Sequence, residues 1–435
     1  MRRIAVLAFA LATVLLACQI VAGIERVDKV PAPVADVVAP DAEPDAPVDP
    51  CEHKLPPSKP EKSATPGEDD ELPPFLLAFR TLSVIPPKGV PAPGYDLDGV
   101  CTCETRKPTV LDGGSSCVVG PKTPACDLDG GVDNQVARLL DDYRELIQLD
   151  EAANVNDEIS MGARSLLFQI SKYNGLPNDP SISVGIFGSE GMLEPSPSHA
   201  GCDASVLTPF ADRPDGGTWS PTWCGDDTWS IVKETALGTS RPPLPVRTGS
   251  GWVKDGMLVV EVTDSVQVPF LTTVITLASA RVVAKLTPLG EDLKPRDPNT
   301  LPRTENEKRL FRMDDGVFAG RISARDLLAV TGTFDDPLDK QSGKHLCTNT
   351  VLFSQLKDRF CEYLDIASST QRDQNLAYAC DAISGGFGFT AYPAKDGTYE
   401  TRLANENECT AGPDDRPIDA GVDVIYACPL PDAGL

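Results

Sequence analysis

The sequence predicts a mainly β protein: an antiparallel β-sandwich of jelly-roll type with two or three peripheral helices, braced by disulfides and set behind a disordered N-terminal tether. Three observations predict it. Short runs of alternating apolar and polar residues succeed one another with turn signals between them and few helical stretches, which favours antiparallel sheets over parallel β/α layers. Of 13 cysteines, Cys18 has a separate reading, and the even remainder in an exported chain points to disulfides. Forty prolines and 35 glycines against 6% aromatics promise many turns, while 41% hydrophobic residues suffice for a sizeable core.

The chain opens with an export signal. Arg2 and Arg3 precede an uncharged apolar run from Ile4 to Leu16, too short to stay across a bilayer, and the small Ala17 lies just before Cys18. Leu15-Leu16-Ala17-Cys18 resembles the lipobox of bacterial lipoproteins, with Leu16 where Ala or Ser is commoner. An ordinary signal peptide with an incidental cysteine is the alternative. The resemblance implies a signal peptide of residues 1–17, acylation of Cys18 and, with Gln19 following, an anchor in the outer membrane. Two or three acyl chains exceed what stable anchoring requires.

Residues 18–74 read as the tether. From Pro31 to Pro74 there are 12 prolines and 11 Asp or Glu against three Lys, so the segment can neither bury a core nor continue a helix. Extended, it reaches at most about 170 Å. A disulfide at Cys51 would pin its middle to the folded region. The net charge of −25 excludes a general electrostatic footprint for nucleic acid or anionic lipid.

The folded region is expected over residues 75–428, as one large or two fused units, with a frayed tail at 429–435. Its first strand is Leu76 to Ile85, bounded by Pro73-Pro74 and Pro86-Pro87. A loop-rich stretch with four cysteines follows, carrying two similar tracts, Asp96-Leu97-Asp98-Gly99 and Asp127-Leu128-Asp129-Gly130. Asp133 or Asn134 can then cap a helix whose stripe is Val136, Leu139, Leu140, Tyr143 and Ile147. Leu166 to Ser171 and Ser181 to Ile186 alternate around turn residues and predict a hairpin. Further strands are expected at Thr228 to Lys233, Met257 to Thr263, Val266 to Leu277, Arg281 to Leu286, Val317 to Ile322 after an Asp315-Gly316 turn, and Ile383 to Tyr392. Ser323 and Asp326 form a capping box, and Thr350 to Ile366 carries apolar residues at four-residue steps; both predict helices.

The disulfide candidates are Cys51, Cys101, Cys103, Cys117, Cys126, Cys202, Cys224, Cys347, Cys361, Cys380, Cys409 and Cys428. Proximity groups Cys347, Cys361 and Cys380, and separately Cys409 with Cys428. A zinc site from Cys101, Cys103, Cys117 and Cys126 is the rival, and it lacks the paired Cys-x2-Cys knuckles of a zinc ribbon. The lipobox, the tether, the tract from Asp96 to Cys103, the run from Cys126 to Asn134 and Cys380-Asp381-Ala382-Ile383-Ser384 together resemble predicted surface lipoproteins of myxobacteria. That resemblance implies an envelope location and no particular activity.

Two stretches carry candidate chemistry. Asp127, Asp129, Asp133 and Asn134 surround the permissive Gly130-Gly131 and resemble acidic calcium loops, although Arg138 occupies the position where an EF-hand needs Glu. The alternative is that these acids only shape a turn and cap the helix. Trp219, Trp223 and Trp229, with Asp226 and Asp227, suit stacking and hydrogen bonding of a glycan, or else cover a sheet edge around Cys224. No catalytic residues are assigned: Gly-x-Ser-x-Gly, His-Glu-x-x-His, P-loop and dinucleotide fingerprints are all absent from the sequence. The expectation is a lipid-anchored envelope protein that binds a glycan or protein partner, or serves a structural role, without catalysis. The alternative is an exported hydrolase working through paired carboxylates.

Overall fold

The computed structural model describes residues 53–61, 71–83, 90–102, 116–119, 126–142, 156, 158–194, 223, 225, 227–233, 235, 249–262, 265–270, 273–290, 293–296, 310–334, 336, 344–400, 426 and 428. All belong to one unit, Pro50–Leu435. The expected signal peptide, Cys18, the tether up to Glu52, and the tail beyond Cys428 lie outside the described residues.

Eleven strands form one sheet: β1 (Phe75–Ser83), β2 (Ser165–Ser171), β3 (Asp179–Ser189), β4 (Met192–Glu194), β5 (Asp227–Val232), β6 (Gly249–Lys254), β7 (Met257–Val262), β8 (Ser265–Phe270), β9 (Thr273–Leu289), β10 (Leu310–Ser323) and β11 (Ala382–Glu400). Among the described residues three α-helices accompany them: α1 (Gln135–Asp142), α2 (Ala324–Gly332) and α3 (Thr350–Cys361). The order β1-β2-β3-β6-β7-β9-β10-β11 is antiparallel throughout, and β11 pairs back onto β1, Leu76 opposite Ala394 and Leu82 opposite Phe389. Eight strands thus close an up-and-down barrel, with β4, β5 and β8 outside it. This corrects the expected sandwich. A sandwich and a barrel need the same alternation in each strand. They differ in whether the first and last strands meet, and here they do.

The ring is filled. Phe168 of β2 reaches Phe318 of β10 at 6.5 Å between centroids, although β1 and β11 lie between those strands. Phe79 and Phe389 stack at 4.6 Å in the same cluster, and Phe75 stacks on Phe311 at 5.0 Å towards one end. Leu77, Val184, Val260, Val282 and Met313 complete this interior, all fully buried. Gly316 permits the crowding: a Cβ there would stand 2.6 Å from the Phe389 ring. A groove of about 210 Å³ beside Phe75, Leu77, Phe311 and Pro393 falls below the roughly 300–1,000 Å³ of small-molecule sites.

Several elements differ in extent from the sequence reading. The Asp315-Gly316 pair is a bulge inside one 14-residue strand, not the turn before it: the register slips between Met313 and Gly316, and Asp315 takes φ +49°. The chain reverses between β8 and β9, so the two expected strands from Val266 to Leu286 divide at Phe270, not near Ala280. β6 escaped notice because its small residues carry little apolar signal; glycine is required there, since a Cβ on Gly251 would meet the Val259 carbonyl at 2.2 Å. Ser323 caps the helix as expected, its hydroxyl accepting from the Asp326 N–H at 3.0 Å.

Disulfides join Cys117 to Cys380 and Cys361 to Cys428. Both cross the groups that sequence proximity suggested, and Cys117 meets Cys380 beside the bridge between Val118 and Ala379. Cys101 and Cys347 are also disulfide-bonded. Cys51, Cys103, Cys202, Cys224 and Cys409 lie outside the described residues.

Candidate metal centre

The outer wall of β7, β9, β10 and β11 is not bare. Phe318 and Ile322 point inward, so Ala319 and Arg321 between them point out, and Val259, Val283, Ala319 and Ala382 are covered by Tyr95, Leu97 and Ile366. Gly386 lets the covering loop lie flat, as a Cβ there would be 2.1 Å from the Pro93 carbonyl. Asn134 ties that contact, its Nδ2 donating to the carbonyls of Pro93 at 2.6 Å and Gly386 at 3.1 Å.

Arg321 is the post around which this layer is built. It is 1% exposed and gives two hydrogen bonds of 2.6 Å to the carboxylate of Asp373. Its remaining donors reach the carbonyls of Ala367 and Leu97, both at 2.8 Å. Arg281 adds a bond to the Asp96 carbonyl at 3.0 Å. Side chain and backbone from two separate loops thereby converge on two wall arginines.

Carboxylates gather beside them. Asp96, Asp98 and Asp133 are 1%, 7% and 2% exposed, and one oxygen from each lies within 4.8 Å of the others. Oxygens coordinated at 2.3–2.6 Å to one hard cation stand at most roughly 5 Å apart, so the spacing suits calcium. Backbone N–H groups orient the set: Leu97 donates to Asp133 at 2.6 Å, Gly99 to Asp96 at 2.7 Å and Val100 to Asp98 at 2.8 Å. Asp127 stands next to Asp133 and accepts from the Thr102 N–H at 2.6 Å. Behind them Asp365 accepts from both the hydroxyl and the N–H of Ser384, and the Ser384 oxygen in turn accepts from the Gln135 N–H at 3.0 Å.

The electrostatics are those of a site short of positive charge. Burial above all pushes Asp127 up to about 8, and the charges of Asp98 and Asp365 add to the rise against the pull of the Thr102 N–H. Burial likewise takes Asp98 to about 7, reinforced by Asp96, Asp365 and Asp373. Asp133 is raised well above the usual carboxylate range by burial and then by Asp98, Asp127 and Asp365. Asp365 rises only to about 6, since the Ser384 bonds hold its charged form. Gln135, 1% exposed, donates from Nε2 to the Cys126 carbonyl at 2.6 Å, while its Oε1 is a buried acceptor without a donor. Such a collection needs protons or a cation.

The expected calcium ligands separate on this frame. Asp133 is in the cluster and Asp127 borders it. Asp129 is exposed in the turn. Asn134 is the helix cap, its Oδ1 taking the Ala137 N–H at 3.0 Å, so it is removed from the ligand set. Asp96 and Asp98 replace them, and the signal was present in the sequence as the duplicated Asp-x-Asp-Gly tract. His53, expected in a free tether, lies with Nδ1 2.6 Å from Asp96 Oδ2.

The expected glycan platform is a core plug. Trp223 and Trp229 are 0% exposed and pack edge to face at 5.0 Å. Trp223 donates from Nε1 to the Ile159 carbonyl at 2.8 Å and lies under the Arg80 guanidinium at 4.6 Å. Asp227 is buried, accepting from the Gly225 N–H at 3.0 Å. Neither indole offers a face to a sugar; Trp219 and Asp226 lie outside the described residues. No protein-family model, curated protein or solved structure matches this chain, so function has to be argued from its own residues.

Proposed function

We propose that the chain is a lipid-anchored protein of the bacterial envelope whose barrel is a rigid, non-catalytic scaffold, fastened on its outer wall by a divalent cation, and that it acts as a binding or structural component through its surface. The observation that carries this reading is the carboxylate group of Asp96, Asp98 and Asp133, buried against a wall whose arginines are already occupied. The filled interior supports it, since among the described residues the aromatic and aliphatic side chains of the ring pack against one another. An apolar inside with Arg281, Arg321 and Ser384 outside reverses the pattern of a transmembrane barrel and suits a domain held clear of the bilayer. Export and acylation at Cys18 follow from the lipobox resemblance. A hydrolase would place its acids across an open cleft, whereas these acids are enclosed.

Two experiments test the reading. Cys18→Ala should abolish incorporation of labelled palmitate and release the protein from the membrane fraction; continued labelling would overturn the anchor. For the full oxidised chain in detergent, calcium at about 100 times its dissociation constant should add roughly 2.7 kcal/mol of stability over chelator. Asp133→Asn should lose most of that gain. An unchanged midpoint would leave the acids as protonated turn residues and refute the cation.

A further inference from the structure

Resting on that cation reading, we infer that residues 53–61 are a strap that closes the cation centre, so that ions enter and leave only when the strap lifts. The strap is laid across both acidic tracts. The Lys54 N–H donates to the Gly130 carbonyl at 2.9 Å, and the Asp96 N–H donates to the Lys54 carbonyl at 3.0 Å. His53 covers Asp96 directly: its side chain is 37% exposed, while that of Asp96 is 0% exposed beneath it. The Lys54 ammonium lies over the Tyr95 ring at 5.6 Å. Farther along, Trp252 of β6 donates from Nε1 to the Pro57 carbonyl at 3.0 Å, an anchor on the wall that touches none of the carboxylates.

The strap itself is lightly held. Leu55 is 59% exposed, and Lys54, Ser58, Lys59 and Glu61 also face solvent; only Pro60 is buried. Segments with few buried apolar contacts and a handful of hydrogen bonds open at the low end of a protein's stability range. The barrel wall beneath, by contrast, is continuous sheet. A dehydrated cation therefore has its easiest route on the strap side, and opening there uncovers Asp96 first. Such a cover changes the rates of uptake and release together and leaves affinity nearly unchanged, because the closed strap is favoured with the site empty or full.

The test is calcium release from the full, oxidised, calcium-loaded chain in detergent, mixed in a stopped-flow instrument with excess fluorescent chelator. Trp252→Phe removes the distant anchor and no ligand; it should speed release about five-fold, the factor one ordinary hydrogen bond contributes to an opening equilibrium, with the equilibrium affinity within two-fold of wild type. His53→Ala provides a second variant at the other end and should also release faster. If calcium binds and both variants release it at the wild-type rate, the strap is not the cover and the inference is overturned. If wild type binds no calcium at all, the cation reading fails and the strap inference falls with it.

Discussion

Replacing Arg321 by Met should be the most damaging single change on the outer wall. Methionine keeps most of the stem's volume and removes four hydrogen bonds: two to Asp373 and one each to the carbonyls of Ala367 and Leu97. What is left is a carboxylate, 13% exposed, that has lost its bidentate partner, and two carbonyls without that donor beside a position that was 1% exposed. Removing one partner of a buried ion pair costs about 3–5 kcal/mol, and the stranded carbonyls belong to the same event, so they are not added separately. In urea, with a slope near 3 kcal/mol/M for a chain of this size, the midpoint should fall by roughly 1 M or more at unchanged slope. The loss should persist in about 0.5 M NaCl, because burial shields the pair from screening. Arg321→Lys should recover less than half of it, since one ammonium cannot reproduce a fork that serves both Asp373 oxygens and two carbonyls. A loss below about 1 kcal/mol would show that Arg321 does not hold this layer.

Other outcomes follow from the same layer and from the core. In chelator, Asp98 near 7, Asp127 near 8 and the raised Asp133 hold protons in the folded state that the unfolded chain gives up near 4, so these groups stabilise the fold at low pH and that stability is lost as pH rises through 7 to 8. The thermal midpoint should therefore fall between pH 5 and pH 8.5 without calcium and fall much less with it; parallel curves would contradict the shared site. Replacing both Cys117 and Cys380 by Ala should cost about 2–5 kcal/mol in denaturant unfolding, the range for native disulfides closing long loops. Trp229→Ala should cost about 3–5 kcal/mol as a core truncation, read by the unfolding midpoint.

The chain's own residues determined its strands. Alternation in Leu166 to Ile170 and Met257 to Val262 needed only a buried face and a period of two, and it holds wherever that face ends up. Helix caps were equally legible, because Ser323 with Asp326 and Asn134 with Ala137 act over three residues. The proposed export signal, too, rests on local features alone: charge, apolar length and a cysteine. Closure was not local. Whether β1 meets β11 depends on more than 300 residues of intervening chain, on bulges such as that at Met313 to Gly316, and on glycines that let strands cross at β6. The same holds for the site. Asp127 and Asp133 stood out by their glycine-rich turn, but Asp96, Asp98, Asp365 and His53 join them only because the 90–102 loop, the 363–375 loop and the strap are all laid on one barrel wall, the two loops tied to Arg321 and Arg281 and the strap to Trp252. Spacing in the sequence marks which carboxylates are able to shape a turn. Which of them share one buried space was decided by the sheet that packs beneath them.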